Sequence, residues 1–136
     1  MAKSHTGGCL CGAIRYRVAE DPVRSGICHC RTCRKTASAA SLPFTVFPAA
    51  TFMIEQGDPR HYASSPGVIR SFCGACGSPL TWRNLAEPDQ LDVMTVTLDD
   101  PDAYSPADHV WVSEQLAWDV IADGLPVHAT ERTAKP

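Results

Sequence analysis

Three cysteines within six residues, Cys28, Cys30 and Cys33 of "CHCRTC", concentrate more chemistry than any other stretch of the chain. Four thiolates close a tetrahedral zinc site, and three leave one vertex open. Two further pairs stand at Cys9 and Cys11 ("CLC") and at Cys73 and Cys76 ("CGACG"). A C-x-x-C flanked by glycine is a knuckle whose tight turn brings both sulfurs to one point. Residues two apart on a strand share a face, so Cys9 and Cys11 read as a second half-site in an extended segment. Two half-sites make one closed, structural zinc. Spacing also permits Cys9 and Cys11 to join Cys28 and Cys30, leaving Cys33, Cys73 and Cys76; the division that keeps the triplet intact is preferred.

Three thiolates on Zn²⁺ leave a net charge of −1, so such a metal activates water poorly. It suits a soft fourth ligand, the sulfur of a small thiol, and hence addition of a thiolate to a small electrophile or the reverse cleavage. The competing reading is a closed Cys₃His site completed by His5, His61, His109 or His128. His29, between two ligands, is expected to point away from the metal; a proton-transfer role beside it is the weaker alternative. Arg31, Arg34 and Lys35 form a local basic cluster that reads as solvated charge, or less simply as a lure for carboxylates. Trp82, Trp111 and Trp118 read as core or pocket wall. "LDDPD" reads as a solvated loop.

These residues need strands and turns to position them. "AIRYRV" alternates apolar and basic residues as a half-buried strand does. "SGICHC" reads as extended, and "RTCRKTASAAS" as one or two helical turns. Further strands are expected at "LPFTVF", "TFMIEQ", "VIRSFC", "LTWR", "LDVMTVTL" and "HVWVS", with Pro and Gly in nearly every gap. "EQLAWDVI" is the remaining helix candidate, or a loop turning Leu116, Trp118 and Ile121 inward. The expectation is a mainly β, single zinc-stabilised domain over residues 5–125, followed by a frayed polar tail at 126–136.

A chain of 136 residues with 44% hydrophobic and 20% charged residues is globular in composition and one domain in size. A net charge of −3 offers no field for polyanions, so no nucleic-acid partner is expected. "MAKSHTGG" has no apolar leader and no later run is long enough to span a bilayer, so no membrane partner is expected either. Seven cysteines then imply a reducing, cytoplasmic setting in which they bind metal rather than form disulfides.

In order and spacing, "GGCLCGAIRY", "CHCRTCRK" and "CGACGSPL" resemble the family of glutathione-dependent formaldehyde-activating enzymes and centromere protein V. The segment "DHVWVSEQLAWDVIADGLP" also resembles the end of its short bacterial members. The resemblance implies a β-tent fold of small coiled antiparallel sheets with two zinc ions per chain. It implies a structural zinc on Cys9, Cys11, Cys73 and Cys76 and a catalytic-type zinc on Cys28, Cys30 and Cys33. The implied activity is that of a carbon–sulfur lyase acting on a thiol–aldehyde adduct, with glutathione and formaldehyde as the named pair. The alternative is a zinc-binding scaffold without turnover. No glutathione contact is carried over, because no gripping segment is identifiable.

Overall fold

The computed structural model describes residues 3–132. Its strands are β1 (His5–Gly8), β2 (Arg15–Val18), β3 (Arg24–Cys28), β4 (Leu42–Pro48), β5 (Phe52–Gln56), β6 (Arg60–Ser65), β7 (Val68–Phe72), β8 (Pro79–Asn84), β9 (Gln90–Met94) and β10 (His109–Val110). One helix, α1 (Arg31–Ala37), joins β3 to β4. Strands β1-β2-β5 make a small sheet, and β10-β3-β4-β9-β8-β7-β6 make a large one. Every strand pair is antiparallel except β10 with β3. The protein is mainly β, as expected.

Strand β4 shows why the large sheet sits at the centre. Phe47 points to one face, against Tyr16, Val18, Leu80, Leu91 and Val93, where the small sheet closes the main core. Leu42, Phe44 and Val46 point to the other, against Cys28, Cys33, Met94 and Val110. A strand buried on both sides must read as a continuous apolar run, and "LPFTVF" does. The polar break at Thr45 is satisfied sideways: Ser25, Thr45 and Thr95 hydroxyls form a ladder at 2.8 and 2.9 Å. Gly26 opposes Phe44, and a Cβ there would lie 2.9 Å from the Phe44 ring and 2.8 Å from Asp108 Oδ1. Only glycine lets that ring lie so close to β3.

The structure corrects several expectations. Cys9 and Cys11 are not on a strand: β1 ends at Gly8, and the Gly12 amide donates to the Cys9 carbonyl at 3.2 Å in a tight turn. Gly12 takes φ +80°, which a strand would not allow. "EQLAWDVI" forms no helix; a 3-10 turn at Val112–Glu114 leads into a loop. In it Leu116 and Ile121 are half-buried, whereas Trp118 is 73% exposed and outside the core, lining a surface groove with Leu116 and Arg34. The tail is held rather than frayed as far as Arg132. Val127 bridges to His109, the Val112 amide donates to the His128 carbonyl at 3.1 Å, and Arg132 Nε lies 3.0 Å from buried Asp108. Residues 133–136 lie outside those described.

Candidate metal centres

The seven cysteines fall into two clusters, each with sulfurs within 4.8 Å of one another. The first gathers Cys9 and Cys11, from the turn between β1 and β2, with Cys73 and Cys76, from the knuckle between β7 and β8. A register shift at Ser71/Phe72 bends β7 just before the knuckle. There the Gly77 amide donates to the Cys73 carbonyl at 2.8 Å, with Gly77 at φ +81°. Donors surround the sulfurs. The Ile14 amide donates to Cys9 Sγ at 3.3 Å and the Ala75 amide to Cys73 Sγ at 3.4 Å. The Ser78 hydroxyl accepts from the Leu10 amide at 3.0 Å, which leaves its proton for Cys76 Sγ at 3.2 Å. Ser78, through its hydroxyl and then its backbone, holds the Cys76 thiol down at about 5. Cys11 goes the other way: the Ala13 amide favours its thiolate, but hydrogen bonding to Cys9 pushes the thiol up to about 11. Four converging sulfurs can all be thiolates only around a cation, and this set suits one.

The second cluster is Cys28, Cys30 and Cys33. Cys28 ends β3, Cys30 is the N-cap of α1, and Cys33 lies in its first turn. The strand-to-helix corner thereby turns three side chains inward over six residues. Cys30 Sγ accepts from the Cys33 amide at 3.3 Å, so a thiolate sulfur performs the capping that a serine oxygen ordinarily does. Thr32 Oγ1 lies 3.2 Å from Cys30 Sγ, and Arg70 Nη2 donates to both Thr32 Oγ1 at 3.4 Å and Cys33 Sγ at 3.6 Å. Hydrogen bonding among the three sulfurs drives Cys30 far down and Cys28 far up. The three sulfurs thus compete for protons, whereas a soft divalent cation suits all three as thiolates.

The two clusters differ in closure. No histidine joins either one among the described residues, so the Cys₃His arrangement is not formed. His29 does point away from the sulfurs. Its ring is almost fully buried, 2.8 Å from His109 Nδ1, and His109 Nε2 lies 2.7 Å from Asp123. This chain of rings ties the loop after β10 to the floor beneath the triad. His29 is not among the residues lining the cleft above the triad.

Above the triad is a cleft of about 420 Å³. Trp82 and Trp111 wall it, Arg70 and Val68 come from β7, and Arg31, Thr32 and Glu114 edge it. The basic cluster is divided: Arg31 edges the cleft, while Arg34 and Lys35 face a separate groove beside Trp118. Arg70 and Glu114 carry no motif that marks them in the sequence. Arg70 lies 37 positions from the cysteine it touches, and only strand pairing reveals the contact.

The model of the family described as glutathione-dependent formaldehyde-activating enzyme matches residues 4–114, and the chain belongs to that family. A relative from Schizosaccharomyces pombe, described as an uncharacterized lyase, is 33% identical over 76 residues, covering 56% of this chain. The match spans about half, 55%, of that relative's length. A crystal structure of a Rhodobacter sphaeroides protein is similar with a TM-score of 0.59 at 19% identity, covering 69% of this chain and 87% of that one. That likeness shows the fold.

Proposed function

We propose that the chain is a zinc-dependent carbon–sulfur lyase of the thiol–aldehyde type, with two zinc ions. One would be closed by Cys9, Cys11, Cys73 and Cys76, the other held by Cys28, Cys30 and Cys33. The observation that supports this most is that the triad gathers three sulfurs beneath an open cleft, with no fourth protein donor among the described residues. Zinc held there supplies an electron-rich site that favours a soft sulfur donor over water. The residues around it do the rest. Trp82 and Trp111 narrow the space and exclude water, while Arg70 offsets negative charge on Cys33 and, through Thr32, on Cys30. In the synthetic direction the sulfur–carbon bond forms as the carbonyl π bond breaks, and the thiol proton ends on the hydroxyl oxygen. Glutathione and formaldehyde lead as substrates because the family is named for them, and the reduced cysteines suit the cytoplasm.

The test is NMR measurement of adduct formation and breakdown across several thiols and aldehydes, with Cys30→Ser as control. Faster exchange with the native protein than with the variant is expected. Equal rates for both, matching the uncatalysed reaction, would defeat the proposal.

A further inference from the structure

A guanidinium is costly to bury unless its charge is paired. Arg70 is 8% exposed, yet it forms no ion pair with a carboxylate among the described residues. Its Nε donates to Ser64 Oγ at 3.1 Å, and Nη2 serves Thr32 and Cys33. Nη1 makes no hydrogen bond among the described residues and is not sealed from solvent. The side chain lines the cleft and also a neighbouring groove beside Thr36 and Tyr62, and the Nη2 contacts with Cys33 and Thr32 hold the end of the guanidinium beside the triad, where Nη1 can meet a ligand. The neighbouring carboxylates are otherwise placed. Asp92 shares the row Asp92–Trp82–Arg70 across the sheet, with Trp82 between them. Glu114, on the rim, accepts the Arg31 amide at 2.9 Å.

We propose that Arg70 is the anion-recognition residue of the cleft, receiving the carboxylate of an acidic thiol whose sulfur faces Cys28, Cys30 and Cys33. The inference rests on the thiol-binding reading above and adds the substrate class. Because Arg70 already reaches Cys33 Sγ, the carboxylate it can meet is one only a few carbons from the sulfur. A guanidinium is suited to the task, with a rigid fork that matches a carboxylate and a charge that offsets an anionic ligand beside thiolates.

The experiment is calorimetric titration of the zinc-loaded protein with 3-mercaptopropionate and with its amide, 3-mercaptopropionamide. The acid's own negative charge makes its thiol harder to ionise, so any preference for the acid cannot come from a better supply of thiolate. A charge-assisted contact predicts at least about tenfold tighter binding of the acid. Arg70→Gln should bring the acid to the level of the amide and change the amide by less than about twofold. Arg70→Lys should keep part of the preference, and Lys35→Gln, in the separate groove, should leave it unchanged. Equal affinities in the native protein would overturn the assignment, and so would a preference undiminished in Arg70→Gln. Equal loss of both ligands in Arg70→Gln would also overturn it, as it marks a merely structural side chain. The native comparison stands even where a variant misfolds. Binding of the amide without preference sinks Arg70 alone, whereas binding of neither thiol sinks the parent reading too.

Discussion

At the scale of the residue, the cysteines were legible because their spacing is itself the chemistry. Cys28, Cys30 and Cys33 converge over one corner, so a short string of letters encodes a local geometry. Arg70 was hidden because its partners Ser64, Thr32 and Cys33 meet only when β7 finds its place. Asp92 was hidden in the same way. Burial pushes its carboxyl up to about 7, against Arg24 and Arg70 and with Glu87 adding to the rise. An aspartate in the unfolded chain titrates near ~3.9. Between about pH 4 and pH 7 the folded state thus keeps a proton that the unfolded state has released, and stability falls as pH rises; above about 7 it levels off. Asp92→Asn should flatten melting temperature against pH across that window and exceed the native protein at about pH 8. A native-like slope in the variant would assign the effect to another group.

At the scale of the element, alternation was visible where a strand has one wet and one dry face, as in β2, and a solid apolar run where both are dry, as in β4. Strands β1 ("HTGG") and β6 ("RHYASS") were missed for opposite reasons. The glycines of β1 have no side chain to alternate; a Cβ on Gly7 would lie 2.3 Å from the Tyr16 hydroxyl, so the pair is there for close approach. Strand β6 is the exposed edge of its sheet and has no buried face for a pattern to record. "EQLAWDVI" has helical spacing but no surface to bury Trp118 against, and spacing without burial does not hold a helix. Helix α1 shows the strain of a short element. Its C-cap, Ser38, is left-handed at φ +50° and donates its amide to the Arg34 carbonyl. Glycine accepts that conformation without steric cost, so Ser38→Gly should raise stability by about 0.5–1 kcal/mol in urea unfolding. A loss of stability would mean that the serine side chain has a role the hydrogen bonds do not display.

At the scale of the molecule, the two clusters hold different things together. The Cys9/Cys11 turn belongs to the small sheet and the Cys73/Cys76 knuckle to the large one, so a cation held between them would staple sheet to sheet across the core. The triad spans only a strand end and the helix that follows it. A structural zinc contributes on the order of 10–16 kcal/mol to folding, comparable with the whole stability of a small domain. Cys73 is 1% exposed, so Cys73→Ser would open that staple inside the core. The expected result is unfolded or aggregating protein. Cys33→Ser opens the cleft cluster, whose strand β3 stays paired to β4 over its whole length. It should lose one zinc and keep most of the fold. A chelator should follow the same order, drawing metal first from the cleft and only later, together with loss of circular dichroism, from the staple. Equal thermal collapse in the two variants, or release of both metals in a single step, would show that the division between holding and reacting is wrong.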